Sequence, residues 1–236
     1  MVNEDKVIEN YKNAMSRLET ALEESGRSIK DVLVIGASKT MPLERILFVR
    51  DNTDVKIFGE NRVQEMTQKL AENAYDGAPL HFIGHLQRNK VKNVVGKVAM
   101  IESVGSLELL AAIDKQAQKL GIVQDILLEV NIGGEEAKSG FAPEALEEAA
   151  RYAKTLSHVR VLGLMTIPPV ENEPQGNLPF FAKMKALYVD INQNIYDNKL
   201  KYLSMGTTGD YAEAIEAGSN MVRVGTAIFG ARNYSK

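Results

Sequence analysis

From Asn3 to Ser25 the apolar residues Val7, Tyr11, Met15, Leu18 and Leu22 recur at spacings of three and four. That spacing predicts one long helix with a single apolar face, stopped by Gly26. Beyond it the pattern changes to short apolar, β-branched runs separated by helical stretches. The runs are VLVIGAS from Val32, VKIFGE from Val55, LHFIGH from Leu80 and VAMIESV from Val98. ILLEVNI from Ile126, VRVLGLMTI from Val159, YLSMG from Tyr202 and MVRVGTAIFG from Met221 complete eight candidate strands.

Helix signals lie between them. Ser106 suits an N-cap before Leu110, Ile113, Ala117 and Leu120, which share one helical face. Pro143 suits the first position of a helix over Glu144 to Leu156, and a longer helix is expected over Phe180 to Tyr196. Eight strands alternating with helices, in a chain near the roughly 250 residues usual for the class, predict an α/β fold, a single (β/α)8 TIM-type barrel. Residues 1–236 are expected to form one domain, with the extra N-terminal helix over 1–27 completing the shell around a barrel over 32–230. A doubly wound open sheet is the alternative, but its first βα turn calls for G-x-G-x-x-G, which VIGASKT lacks. Pro168, Pro169, Pro174 and Pro179 mark a stiff, irregular loop after the sixth strand, readable as a surface excursion or as a lid.

Composition narrows the function classes. The chain is 44% hydrophobic and 25% charged, as expected of a soluble globular protein. A net charge of -3 and the lack of a Lys/Arg run give no footprint for nucleic acid. With no cysteine, disulfides, thiolate catalysis and Cys-ligated zinc are excluded. No apolar run reaches membrane-spanning length and the N-terminus is not that of a signal peptide, so a cytoplasmic location without membrane association is expected.

In a barrel strand alternate residues face inward, and active sites lie at the C-terminal mouth. By that parity Lys39 goes with Ala37, Asn61 with Gly59, Met165 with Gly163 and Arg223 with Gly225. Functional side chains from four strands would thus have small inward neighbours that leave room for a ligand. From position alone Lys39 is either a solvated lysine opening a loop or an amine whose lowered pKa suits attack on an aldehyde. LSMGTTGD after the seventh strand, with Gly225 and Thr226 after the eighth, falls where barrels commonly bind phosphate; two ordinary capped turns are the plainer reading. Arg223, inside an apolar strand, requires an acceptor, whether a ligand or a structural carboxylate. His81 and His85 are expected on one face of one strand. Without a third ligand they make a weak metal signal, and structural roles are the expectation.

Together these segments resemble the pyridoxal phosphate homeostasis proteins, single-domain barrels similar to the barrel domain of alanine racemase. The resemblance runs from Lys39 to Tyr234 through SKT, FGENRVQE, HFIGHLQRNK, LMTIPP, SMG and VRVGTAIFGAR, in that order. It implies pyridoxal 5'-phosphate (PLP) as the cofactor, held as an imine on Lys39. Asn61, His85 and Met165 would line the pocket near the ring, and Ser204, Gly206, Thr208, Gly225 and Thr226 would hold the phosphate. Arg223 would lie against the pyridine nitrogen. The chain departs from the family's usual SMGMSxD at Thr207 and Thr208; Thr208 keeps a hydroxyl, so phosphate binding is expected to survive. GAS before Lys39 stands where the family often has alanine-valine-serine.

A guanidinium beside the pyridine nitrogen keeps that nitrogen unprotonated and weakens the ring as an electron sink. Racemases of the related fold add a base from a partner subunit and a C-terminal β-domain, and this chain ends at Lys236, shortly after Gly230. The expectation is a monomeric, non-catalytic carrier or regulator of PLP, with PLP-dependent apoenzymes as recipients. The rivals are a PLP-dependent amino-acid racemase and a cofactor-free barrel enzyme acting on a sugar phosphate.

Overall fold

The computed structural model describes residues 3–169, 173 and 175–231. Its strands are β1 (Leu33–Ala37), β2 (Ile57–Glu60), β3 (Leu80–Phe82), β4 (Met100–Val104), β5 (Gln124–Val130), β6 (Val159–Thr166), β7 (Tyr202–Thr207) and β8 (Met221–Val224). All eight pair in parallel and in chain order, and β8 returns to β1 to close the barrel. The expected fold is therefore the observed one. Both faces of every strand are covered, which is why the runs read as almost continuously apolar.

The helices are α1 (Glu4–Glu24), α2 (Leu43–Asn52), α3 (Val63–Ala71), α4 (Leu107–Leu120), α5 (Leu146–Thr155), α6 (Leu178–Asn194), α7 (Tyr211–Glu216) and α8 (Thr226–Phe229). Asn3 caps α1 by accepting from the Lys6 N–H, and Val7, Leu18 and Leu22 are buried on its inner face. That face packs on α7 and α8, so the N-terminal helix does fill the shell beside the last strand. Ser106 caps α4 through the Leu109 N–H, and Gly121, at φ +65°, ends it.

Several details differ from expectation. Pro143 opens a 3-10 turn, and α5 begins at Leu146. Between β3 and β4 the crossover is a 3-10 segment, Arg88–Asn93, with no α-helix. Strand β3 ends at Phe82, so the alternation that would put His85 beside His81 stops before reaching it. Lys39 lies two residues beyond β1, in a turn. Of the proline loop, Pro174 lies outside the described residues; Pro168 and Pro169 pack at its start, where the Lys138 amine donates to the Pro168 carbonyl.

The barrel interior is stratified. Ile35, Met100, Leu127, Met165 and Met221 form a buried apolar plug. Toward the C-terminal end the inward positions turn polar: His81, Glu102, Ser204 and Arg223 are all buried. The larger apolar core lies outside the barrel, between strands and helices.

Candidate functional site

Above the polar layer a cavity of about 250 Å³ opens at the C-terminal mouth. Its walls come from β1 (Ala37, Lys39), β2 (Asn61), β3 (Ile83), β6 (Ile167), β7 (Thr207, Thr208) and β8 (Arg223, Gly225, Thr226) or the turns just after them. The structure thus brings together Lys39, Asn61, Thr208, Arg223, Gly225 and Thr226, six residues singled out by sequence. Ala37, expected as a small inward neighbour, and Thr207, noted as a departure from the family motif, are also walls, and Ile83 and Ile167 are walls that sequence reasoning did not select.

The other four candidates lie elsewhere. Met165 belongs to the apolar plug. His85 is exposed and lines a neighbouring cavity of about 560 Å³ with Ser103, Ser139 and Gly140. Gly206 faces outward: a Cβ there would come within 2.6 Å of Ala214 Cβ, so its bareness serves the docking of α7. Ser204 sits in the polar layer, with its hydroxyl engaged by Glu102 and Arg223. The small inward neighbours also divide. A Cβ on Gly163 would stand 1.8 Å from the Tyr202 carbonyl oxygen and one on Gly59 would strike Ile83, so neither leaves room for a ligand. Ala37 and Gly225 do.

Each wall is held from behind. Lys39 is half-buried, and the residues on either side of it are anchored by one ionic cluster. Glu60 is fully buried, and its Oε1 accepts from the Ser38 hydroxyl (2.7 Å), Lys69 Nζ (2.7 Å) and the Tyr75 hydroxyl (2.8 Å). Lys69 Nζ also donates to the Ser38 carbonyl and to Glu65 Oε1, which accepts from the Thr40 N–H. Thr40 adopts φ +63°, a conformation this cluster sustains. Burial beside Glu60 pushes the Tyr75 phenol well above its ordinary range, so it stays a donor. Behind Asn61, Gly84 permits an approach that a Cβ would block at 2.2 Å from the Asn61 carbonyl.

On the opposite wall the Gly225 and Ala227 N–H groups point at Thr208 Oγ1, at 3.1 and 3.4 Å. Two backbone donors converging beside Thr226 suit an anion, and the Thr208 hydroxyl oxygen is the acceptor both meet. Thr207 is fixed by Asp210, which accepts from its N–H and its hydroxyl. The side-chain oxygen of Asn61 is buried and lacks a hydrogen-bond partner among the described residues, an acceptor facing a space.

The base of the cavity carries the charge. Arg223 is 3% exposed and donates from Nη1 to the Ser204 hydroxyl (2.5 Å) and from Nη2 to the Thr166 carbonyl (2.9 Å). Its Nη1 lies 3.8 Å from Glu102 Oε2. The acceptor demanded by sequence is therefore, in part, a structural carboxylate. Burial draws the Arg223 pKa below the ordinary guanidinium value, against the pull of Glu102, then Asp210 and Glu129. A guanidinium starts high enough to stay charged regardless. For Glu102 burial is the largest influence and acts upward. The His81 hydrogen bond, the charges of His81 and Arg223 and the Ser204 hydroxyl together outweigh it and hold Glu102 below the usual carboxylate range. His81 Nδ1 meets Glu102 Oε1 at 2.7 Å, the structural role expected of it. Among the described residues no group of His, Asp or Glu could hold a metal ion. Glu102 was findable: it interrupts an apolar strand and shares inward parity with Met100, as Arg223 does with Met221.

This barrel, with a lysine just past its first strand and a two-amide cradle after its last, falls in the alanine racemase N-terminal domain class, whose family model matches residues 3–233. The alanine racemase of Clostridium difficile 630 shares that fold at 17% identity and a TM-score of 0.74, over 98% of this chain and 58% of that one. Within the class the chain belongs to the pyridoxal phosphate homeostasis protein family. The homeostasis protein of Aquifex aeolicus (strain VF5) is 43% identical, covering 96% of this chain and 98% of that protein. A solved structure of PipY from Synechococcus elongatus PCC7942, with PLP bound, is 29% identical with a TM-score of 0.80, covering 92% of this chain and all of that one. No helix among the described residues is long and apolar enough to cross a membrane.

Proposed function

We propose that this chain binds pyridoxal 5'-phosphate in the barrel-mouth cavity and serves its homeostasis as a carrier or regulator, without turnover of its own. The observation that carries this reading is the meeting, in one cavity, of an amine (Lys39), a two-amide cradle (Gly225, Ala227) and a permanent cation (Arg223). Pyridoxal phosphate supplies an aldehyde that condenses with a primary amine, on a ring that also bears a phosphate and an acceptor nitrogen. The residues present match that set. Lys39 offers the amine, and the Gly225 and Ala227 amides with the Thr208 and Thr226 hydroxyls offer donors to the phosphate. Arg223 can only donate, so the ring atom facing it must be an acceptor.

The cavity walls also favour holding over turnover. Lys39 and Arg223 are its only ionisable wall residues among those described. Racemisation needs proton donors and acceptors on both faces of the reacting carbon, and the walls offer no second titratable group for the task. On this reading the chain acts as a single-domain monomer in the cytoplasm, with PLP-dependent apoenzymes as the recipients.

The test is spectroscopic. Adding pyridoxal phosphate to the pure protein should produce a visible absorbance band that borohydride abolishes as it reduces the imine to a stable amine link, which mass mapping should place on the peptide containing Lys39. Persistence of the band in Lys39→Ala, or modification of another lysine, would overturn the assignment. Sustained racemisation of alanine by the unaltered protein would overturn the non-catalytic reading.

A further inference from the structure

The polar layer under the cavity is a single connected device. His81 on β3, Glu102 on β4, Ser204 on β7 and Arg223 on β8 come from four strands, and each is buried. His81 Nδ1 lies 2.7 Å from Glu102 Oε1, the Ser204 hydroxyl donates to Glu102 Oε2 at 2.6 Å, and Arg223 Nη1 donates to that hydroxyl oxygen. Ser204 has one O–H, and Glu102 takes it. Its oxygen is thereby presented to Arg223 as an acceptor only, which fixes the direction of every bond above it.

The bonds to Ser204 and Thr166 use one N–H of each terminal nitrogen of Arg223. They hold the guanidinium plane from below while Arg223 lines the cavity above. A buried cation without a countercharge would be costly, and Glu102, 3.8 Å away, supplies one. His81 in turn anchors the far oxygen of Glu102.

We propose that Glu102 is the positioning residue of the cofactor site: acting through Ser204, it aims and charge-balances Arg223, so that Arg223 selects a ring with an acceptor on its facing edge. This rests on the reading of the cavity as a pyridoxal phosphate site. It assigns Ser204 to the mounting of Arg223 and not to the phosphate.

The experiment compares binding of pyridoxal 5'-phosphate with its 1-deaza analogue, in which C–H replaces the ring nitrogen. The unaltered chain should prefer the natural compound on the order of tenfold, as expected for one hydrogen bond from a charged donor. In Glu102→Leu that preference should collapse to about one, with binding of inorganic phosphate unchanged. Glu102→Gln keeps an oxygen for the Ser204 hydroxyl and should restore most of the preference. A preference that survives in Glu102→Leu overturns the inference, as does an equal loss of phosphate binding. If Glu102→Leu does not fold, Ser204→Ala, which keeps both charges and removes only the bridging hydroxyl, must lose the preference, and its retention there counts against us. An unaltered chain that binds both compounds equally overturns the role of Arg223 while leaving cofactor binding intact. One that binds neither overturns the functional reading itself.

Discussion

Lys69 Nζ lies 2.7 Å from Glu60 Oε1, and both groups are buried behind the turn that carries Lys39. The amine also meets Glu65 at 2.6 Å and the Ser38 carbonyl at 2.8 Å. Lys69→Met would leave Glu60 buried without its countercharge, a loss of about 3–5 kcal/mol for a broken buried pair. The double variant Glu60→Gln, Lys69→Met should be less destabilised than the sum of the single changes. Urea unfolding of the four proteins tests this, and strictly additive losses would contradict the coupling.

Thr208 provides a second, gentler probe. Thr208→Val removes the oxygen that accepts from Gly225 and Ala227 and should cost about 1 kcal/mol, whereas Thr208→Ser should cost little. Excess inorganic phosphate should narrow the gap between Val and Thr, because a bound anion supplies the missing acceptor. Melting curves with and without phosphate check it, and a gap unmoved by phosphate would argue against an anion at these amides.

Gly206 separates architecture from ligand contact. It holds φ +97°, and a Cβ would meet Ala214 Cβ at 2.6 Å and the Tyr211 backbone at 2.9 Å. Gly206→Ala should destabilise by about 2–3 kcal/mol, through backbone strain and overpacking against α7. The measurement is again the unfolding midpoint; an unaltered midpoint would mean α7 can shift without cost.

Glu129 should make stability depend on pH. Burial raises its pKa above the usual 4.5, against a hydrogen bond from Ser139 and the charges of Arg223 and His85. The folded form therefore holds this proton at pH values where the unfolded chain has released it. By linkage, the Glu129 contribution to stability falls as pH rises from about the ordinary glutamate pKa through the raised one. Glu129→Gln stays neutral and lacks that decline, so its stability relative to the unaltered chain should climb across the same window and then level off. A difference that stays flat with pH would contradict the assignment.

What the sequence discloses here follows from what each signal measures. Apolar periodicity reports burial on both strand faces, so the barrel and α1 were legible, as was the capping role of Ser106. It does not report strand ends. The alternation that placed Ala37 and Lys39 in one cavity was carried too far at His85, because β3 stops at Phe82. Parity correctly turned Arg223 and Met165 inward. Depth along the barrel axis is set by strand stagger, and only Arg223 of these two reaches the cavity. Gly163 shows the same limit: a missing side chain signals a close approach, and here the approaching group is the Tyr202 backbone and not a ligand. The Glu60–Lys69 pair joins a strand end to a helix face, a contact that local spacing does not encode.

The closure of β8 against β1 pairs Ile35 with Arg223, so the two basic residues of the cavity come from opposite ends of the described chain. A ribosome that has made seven strands has made Lys39 but not the cradle, the guanidinium or the wall that shields them. The cavity comes into being with the last strand added, and ligand capture is coupled to the most non-local step of folding. A bound ligand then weights the balance toward the closed form by mass action. Occupancy thus doubles as a certificate of assembly: a molecule that holds a ligand here is one whose circle has been completed.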